Sequence, residues 1–176
     1  EIEYFLADAE PDVLVCTPAR LAELEPLARR SRCRHVVTLG EARDGSLLEA
    51  AASFADTYST RPRVAGDLAA ILYTSGTTGR SKGAMLTHGN LASNALTIDE
   101  FWGFAAERAA GRQDVLLHAL PLFHVHGLFV ASHAALLAGA KTLMLPKFDV
   151  EQVLERLPRS TVMMGVPTYY TRLLAE

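Results

Sequence analysis

The sequence predicts an α/β fold, a mainly parallel sheet with helices on both faces, and three observations predict it. Strand-like and helix-like stretches alternate along the chain, the order of strand–helix–strand units. The strand candidates are short unbroken apolar runs, such as residues 13–16, 68–73 and 162–164, as expected where both faces of a sheet are covered. The composition, 49% hydrophobic and 21% charged over 176 residues, is that of an ordinary globular chain long enough to bury a core.

Element by element, residues 1–8 read as the inside of a helix and residues 13–16 as a buried strand. Thr17 is placed as an N-cap and Pro18 as the first residue of a helix over 18–30. Residues 35–39 are a second strand. Ser46, with Glu49 three residues on, makes a capping box for a short helix over 47–54. The polar stretch 56–66, punctuated by Pro62, reads as a loop and as the candidate subdomain boundary. A third strand spans 68–73, and residues 83–87 are extended. Asn90 is placed as the cap of a helix over 91–104, within which Trp102 and Phe104 are core residues. Residues 115–120 form a buried strand, 125–137 a buried helix and 142–145 a strand stopped by Pro146. Asp149 caps a helix over 150–157, residues 162–164 are a strand, and a final helix over 168–175 begins near Pro167.

The net charge of −3 gives no basic surface for nucleic acid and no polybasic membrane patch. Residues 115–140 contain no Asp, Glu, Lys or Arg, but Pro121, Gly127 and four histidines interrupt them, so a strand, a loop and a helix explain them better than a membrane span. Cys16 and Cys33 are the only cysteines, and their spacing fits neither a disulfide framework nor a metal site, which favours a reducing, cytoplasmic setting. The N-terminus has no basic region, no apolar core of signal length and no initiator Met, the pattern of a chain cut from something longer.

Residues 73–83 concentrate the chemistry. Thr74, Ser75, Thr77, Thr78 and Ser81 supply hydroxyls, Gly76, Gly79 and Gly83 let the backbone approach an anion closely, and Lys82 adds a compact positive charge. Such a loop suits a polyphosphate. It is not a Walker A loop, because Ser81 precedes the lysine, Gly83 follows it and the next residues read as extended rather than helical. Nor is it the dinucleotide fingerprint, whose glycines open a helix. On composition alone, a plain connector remains the alternative.

Residues 73–83 resemble the phosphate-loop signature of the adenylate-forming superfamily of acyl-CoA synthetases, adenylation domains and luciferases. Residues 120–128, Leu-Pro-Leu-Phe-His-Val-His-Gly-Leu, and residues 165–170, Gly-Val-Pro-Thr-Tyr-Tyr, resemble two further signatures of the same superfamily. Together with residues 145–149, they look most like the malonyl-CoA synthetases. The resemblance implies that Thr74, Ser75, Gly76, Thr77, Thr78, Gly79 and Lys82 grip the phosphates of ATP. It implies that His124 gates the passage between the acid and the thiol, and that His126, Pro167 and Thr168 wall the acid pocket. His118 and His133 carry no motif and are read as structural. ATP, Mg2+ and coenzyme A are the implied cofactors and cosubstrates, and the implied substrate is malonate or methylmalonate, with no nucleic acid or membrane partner. The magnesium-holding Glu, the ribose-binding Asp and the C-terminal lysine domain of the superfamily are expected beyond residue 176, which makes the chain an internal fragment of the N-terminal domain. Two alternatives remain: an adenylation domain that loads a carrier protein, and a nucleotide-binding or structural fragment without catalysis.

Overall fold

A computed structural model describes residues 1–74 and 80–176, and the chain divides into two compact units, Glu1–Pro62 and Arg63–Glu176. The first unit contains helix α1 (Ile2–Ala9), strand β1 (Val13–Cys16), helix α2 (Leu21–Arg30), strand β2 (His35–Thr38) and helix α3 (Ser46–Ala51). β1 and β2 run parallel, Val13 opposite His35 and Cys16 opposite Thr38, with α2 as their crossover. Leu6, Ala28 and Cys33 form the buried core of this unit, with Leu14 and Val36 packed against it.

Two expected helix caps in this unit are not made. Thr17 is extended and makes no side-chain cap, and the chain enters α2 through a 3-10 turn over Pro18–Arg20. Ser46 is already helical. The Thr38 amide donates to its Oγ at 3.0 Å, while the Ser46 amide donates to Thr38 Oγ1 at 3.0 Å. A hydroxyl committed to β2 cannot cap α3. Gly45, at φ 113°, starts that helix, and a Cβ there would lie 2.5 Å from the Thr38 carbonyl oxygen.

In the second unit, β3 (Leu68–Thr74) and β4 (Lys82–Thr87) form an antiparallel hairpin. Strand alternation predicts parallel neighbours, and this pair is the exception. Seven residues separate Thr74 from Lys82, and a parallel crossover needs about a dozen or more. Helix α4 (His88–Phe101) begins three residues before its expected start. Thr87 is the cap: its Oγ1 accepts from the Asn90 amide at 3.2 Å, while Asn90 Oδ1 accepts from the Thr87 amide at 3.0 Å. The expected helix over 91–104 is two helices, because the chain breaks at Trp102 and Gly103 before α5 (Phe104–Ala109). Phe104 is in the core, as expected, but Trp102 is half exposed. Asp99 of α4 is buried and accepts two hydrogen bonds from Arg108 of α5, at 3.0 and 2.9 Å. That guanidinium, chiefly through its hydrogen bonds, holds the Asp99 carboxyl below the usual carboxylate range.

Strand β5 (Val115–His118) lies between β6 (Lys141–Met144) and β7 (Val162–Met163), and all three are parallel. After β5, residues His126–Ser132 wind as a π-helix that runs into α6 (His133–Ala138). Helix α7 (Val150–Arg156) follows β6, with Asp149 Oδ1 accepting from the Gln152 amide at 3.0 Å, and α8 (Pro167–Leu173) follows β7. Successive strand residues face opposite sides. Leu116 packs with Ile98, Phe104, Ala131 and Ala134 from α4, α5 and the π-helix with α6. Leu117 packs with Leu145, Val153 of α7 and Leu173 of α8. The sheet therefore carries helices on both faces, as predicted. No described helix is long and apolar enough to cross a membrane.

Candidate functional site

Because β5, β6 and β7 are parallel, their carboxyl ends share one edge of the sheet. The segments that leave that edge carry the four predicted site residues that lie outside residues 73–83. Residues 119–126 follow β5 and hold His124 and His126, residues 145–149 follow β6 and hold Lys147, and residues 164–168 follow β7 and hold Pro167 and Thr168. In open α/β sheets this edge is where ligands bind.

Two of the residues expected to hold phosphate, Thr74 and Lys82, lie on the hairpin. Thr74 ends β3 and Lys82 begins β4, and the two pair directly across the ladder. Both side chains are exposed, and among the described residues no carboxylate pairs with Lys82. Gly83 sits opposite Tyr73, where a Cβ would press on the Tyr73 ring at 3.3 Å. Ser75, Gly76, Thr77, Thr78 and Gly79, five of the predicted phosphate ligands, lie outside the described residues.

A cavity of about 480 Å³ opens beside β7, lined among others by Trp102, Phe104, His126, Met164, Gly165 and Tyr170. Its walls are mostly apolar, and the His126 imidazole and the Tyr170 phenol are among them. Pro167 and Thr168 do not line it. They are exposed at the start of α8, whose Tyr170 reaches the cavity instead. His124 is exposed, its ring 4.5 Å from that of Phe123.

A second cavity, of about 620 Å³, lies where β5 and β6 end, and Phe123, Lys147, Phe148, Tyr169 and Arg172 are among its walls. The Tyr169 ring stacks on Phe148 at 3.8 Å between centroids and 18° between planes. The Arg172 guanidinium carbon lies 4.9 Å from the Phe148 ring centre, and Tyr169 Oη donates to the Ala119 carbonyl at 3.3 Å. Two cations thus share an aromatic-walled cavity with no acid among its described lining residues. Sequence reasoning missed Lys147 as a site residue and left Arg172 unassigned, because residues 25 apart are brought together only by the sheet. Their only sequence signal is two basic residues, one after a strand and one within the next helix but one. The two tyrosines of α8 divide between the cavities, as do Phe123 and His126 of residues 119–126, and His124 lies between these last two in sequence.

Beneath these residues, His118 at the end of β5 is fully buried. Its Nε2 lies 3.0 Å from the Gly127 carbonyl oxygen and 3.1 Å from Ser132 Oγ, and Ser132 Oγ donates to the same carbonyl at 2.8 Å. His118 Nδ1 is buried with no hydrogen-bond partner among the described residues. Among those residues, no group of three or more His, Cys, Asp or Glu gathers to hold a metal ion.

The family model described as "AMP-binding enzyme" matches residues 1–176. The mitochondrial malonate–CoA ligase ACSF3 of Mus musculus is 36% identical over 179 residues, covering 99% of this chain and 29% of that protein. A malonate–CoA ligase of Arabidopsis thaliana is 33% identical over 187 residues, covering 99% of this chain and 30% of that protein. Among solved structures, ATP-bound MatB from Rhodopseudomonas palustris is 51% identical with a TM-score of 0.91, covering 100% of this chain and 34% of that one. A malonyl-CoA ligase in a ternary product complex with methylmalonyl-CoA and AMP is 30% identical with a TM-score of 0.70, covering 98% of this chain and 33% of that one. The chain thus spans between 29% and 34% of the length of these four proteins.

Proposed function

We propose, because the chain belongs to the AMP-binding enzyme family, that the protein carrying it activates a small dicarboxylic acid, malonate or methylmalonate, with ATP and passes the acyl group to the thiol of coenzyme A. The observation that carries this reading is the hairpin that ends on Thr74 and Lys82, paired across the ladder, with the hydroxyl- and glycine-rich residues between them. The likeness to an ATP-bound structure at 51% identity over the whole chain supports it.

In this reading a carboxylate oxygen attacks the α-phosphorus of ATP, the bond to the bridging oxygen breaks, and pyrophosphate leaves. Positioning and charge neutralisation do most of the work in such a displacement. The Lys82 ammonium, unpaired by any described carboxylate, offsets charge on the departing pyrophosphate. Magnesium, when bound with the triphosphate, would supply further charge neutralisation. The thiol sulfur then attacks the carbonyl of the acyl-adenylate, and AMP leaves. The cavity beside β7 takes the acid, with His126 as a hydrogen-bonding group in a mostly apolar wall. The cavity with Lys147 and Arg172 takes the phosphates and adenine of the thiol cosubstrate, because it offers two cations beside stacked aromatic rings. His124, between Phe123 of one cavity and His126 of the other, is the gate.

A carboxylate panel on a recombinant protein that holds this chain within the full length of its relatives tests the reading. Acid-dependent pyrophosphate exchange is expected to be fastest with malonate, slower with methylmalonate and poor with acetate and octanoate. Preference for octanoate or an aryl acid removes the malonate assignment, and absence of exchange with every acid removes the activity itself.

A further inference from the structure

The geometry points to His118 as a positioning residue: its buried imidazole fixes the Gly127 carbonyl and the Ser132 hydroxyl, and so sets where the turn bearing His124 and His126 sits beside the acid cavity. This rests on the reading of that cavity as the acid site. A carbonyl oxygen can only accept, so the 3.0 Å contact to the Gly127 oxygen requires the proton on His118 Nε2. The other ring nitrogen, Nδ1, is buried without a described partner. An apolar side chain would fill this space without leaving a polar atom unsatisfied. A group retained at that cost does something packing alone does not.

The target of these bonds is an unusual piece of backbone. Gly127 is the second residue of the π-helical stretch His126–Ser132, and a Cβ on it would collide with the Pro121 carbonyl oxygen and lie 2.9 Å from the Pro121 carbonyl carbon. Backbone contact with Pro121 on one side and the His118 and Ser132 hydrogen bonds on the other clamp the turn between them. The His118 backbone meanwhile accepts from the Leu145 amide at 2.9 Å, two residues before Lys147. One residue therefore ties the His126 turn, through its side chain, to the start of the Lys147 segment, through its backbone. Its ring touches neither cavity, so its effect on chemistry passes through the residues it holds.

The test uses the full-length recombinant protein with His118→Leu, which removes the donor, and His118→Gln, whose Nε2 restores one at a similar reach. Malonate-dependent pyrophosphate exchange gives separate KM values for malonate and ATP. The KM for malonate is expected to rise about tenfold in His118→Leu with that for ATP changed less than about twofold, and His118→Gln is expected to recover to within about threefold of wild type. Ring signals of His124 and His126, followed by NMR on selectively labelled protein, are expected to shift in His118→Leu and to return in His118→Gln. This second readout needs no turnover, so it decides the positioning role even if the wild-type protein shows no exchange and the activity reading fails. Unmoved ring signals in His118→Leu overturn the proposal. So does a rise in both KM values together that His118→Gln does not reverse.

Discussion

One methyl group added at Gly127 would have nowhere to go, because the Pro121 backbone occupies its place. Gly127→Ala is expected to cost about 1–3 kcal/mol of stability, the range for overpacking a closed site, and a denaturant titration measures it. An unchanged midpoint would mean that the turn relaxes freely, which the clamp described above forbids. Lys82 makes the opposite kind of residue-scale claim. It is exposed and bears no packing load, so Lys82→Ala is expected to leave the unfolding midpoint near wild type while slowing pyrophosphate exchange about a hundredfold. Equal exchange rates would end the role assigned to that charge. The sequence showed both residues, but for different reasons. Lys82 stands out by composition, as one of three lysines within a hydroxyl- and glycine-rich run. Gly127 had only its place in a motif, and the reason for it, a close backbone approach, appears in three dimensions alone.

Among the elements, α4 and α5 are joined by the Asp99–Arg108 pair, whose carboxylate is buried and whose guanidinium is half exposed. The carboxyl is held below its ordinary value, so the pair contributes fully above the unfolded pKa of about 3.9 and the contribution is lost as pH falls through the lower folded value. Arg108→Leu is therefore expected to lower the unfolding temperature at neutral pH, with the gap to wild type narrowing below about pH 4. A gap that widens in acid would contradict this sign. Element types were largely legible from sequence, because apolar runs and cap residues are local signals. Boundaries were less so. Asn90 had the chemistry of a cap, but Thr87 three residues earlier had it too, and the reciprocal bond between them made Asn90 the third residue of the helix. The π-helical stretch read as part of an ordinary buried helix over 125–137, because its wider backbone bonding leaves no mark in the side-chain pattern.

For the molecule as a whole, the parallel layering was readable because both faces of each strand are apolar, and the three segments bearing His124, Lys147 and Thr168 gather at one edge as that layering requires. The pairing of Lys147 with Arg172 around Phe148 was not readable, since it depends on how two elements pack. The mixture of hairpin and crossover also orders events in time. Thr74 meets Lys82 after a short loop, whereas β5 reaches β7 only after 45 intervening residues, Leu116 pairing with Val162. Short loops close at little entropic cost, and distant pairings form late. In pulse-labelling hydrogen exchange during refolding, the amides of 70–74 and 82–86 are expected to gain protection before those of 115–118. Simultaneous protection would refute this order. The two residues that frame the glycine-rich loop would then be in register before any cavity beside the three-stranded sheet exists, so under the proposed function the nucleotide's foothold would form on a nascent chain ahead of the acid's.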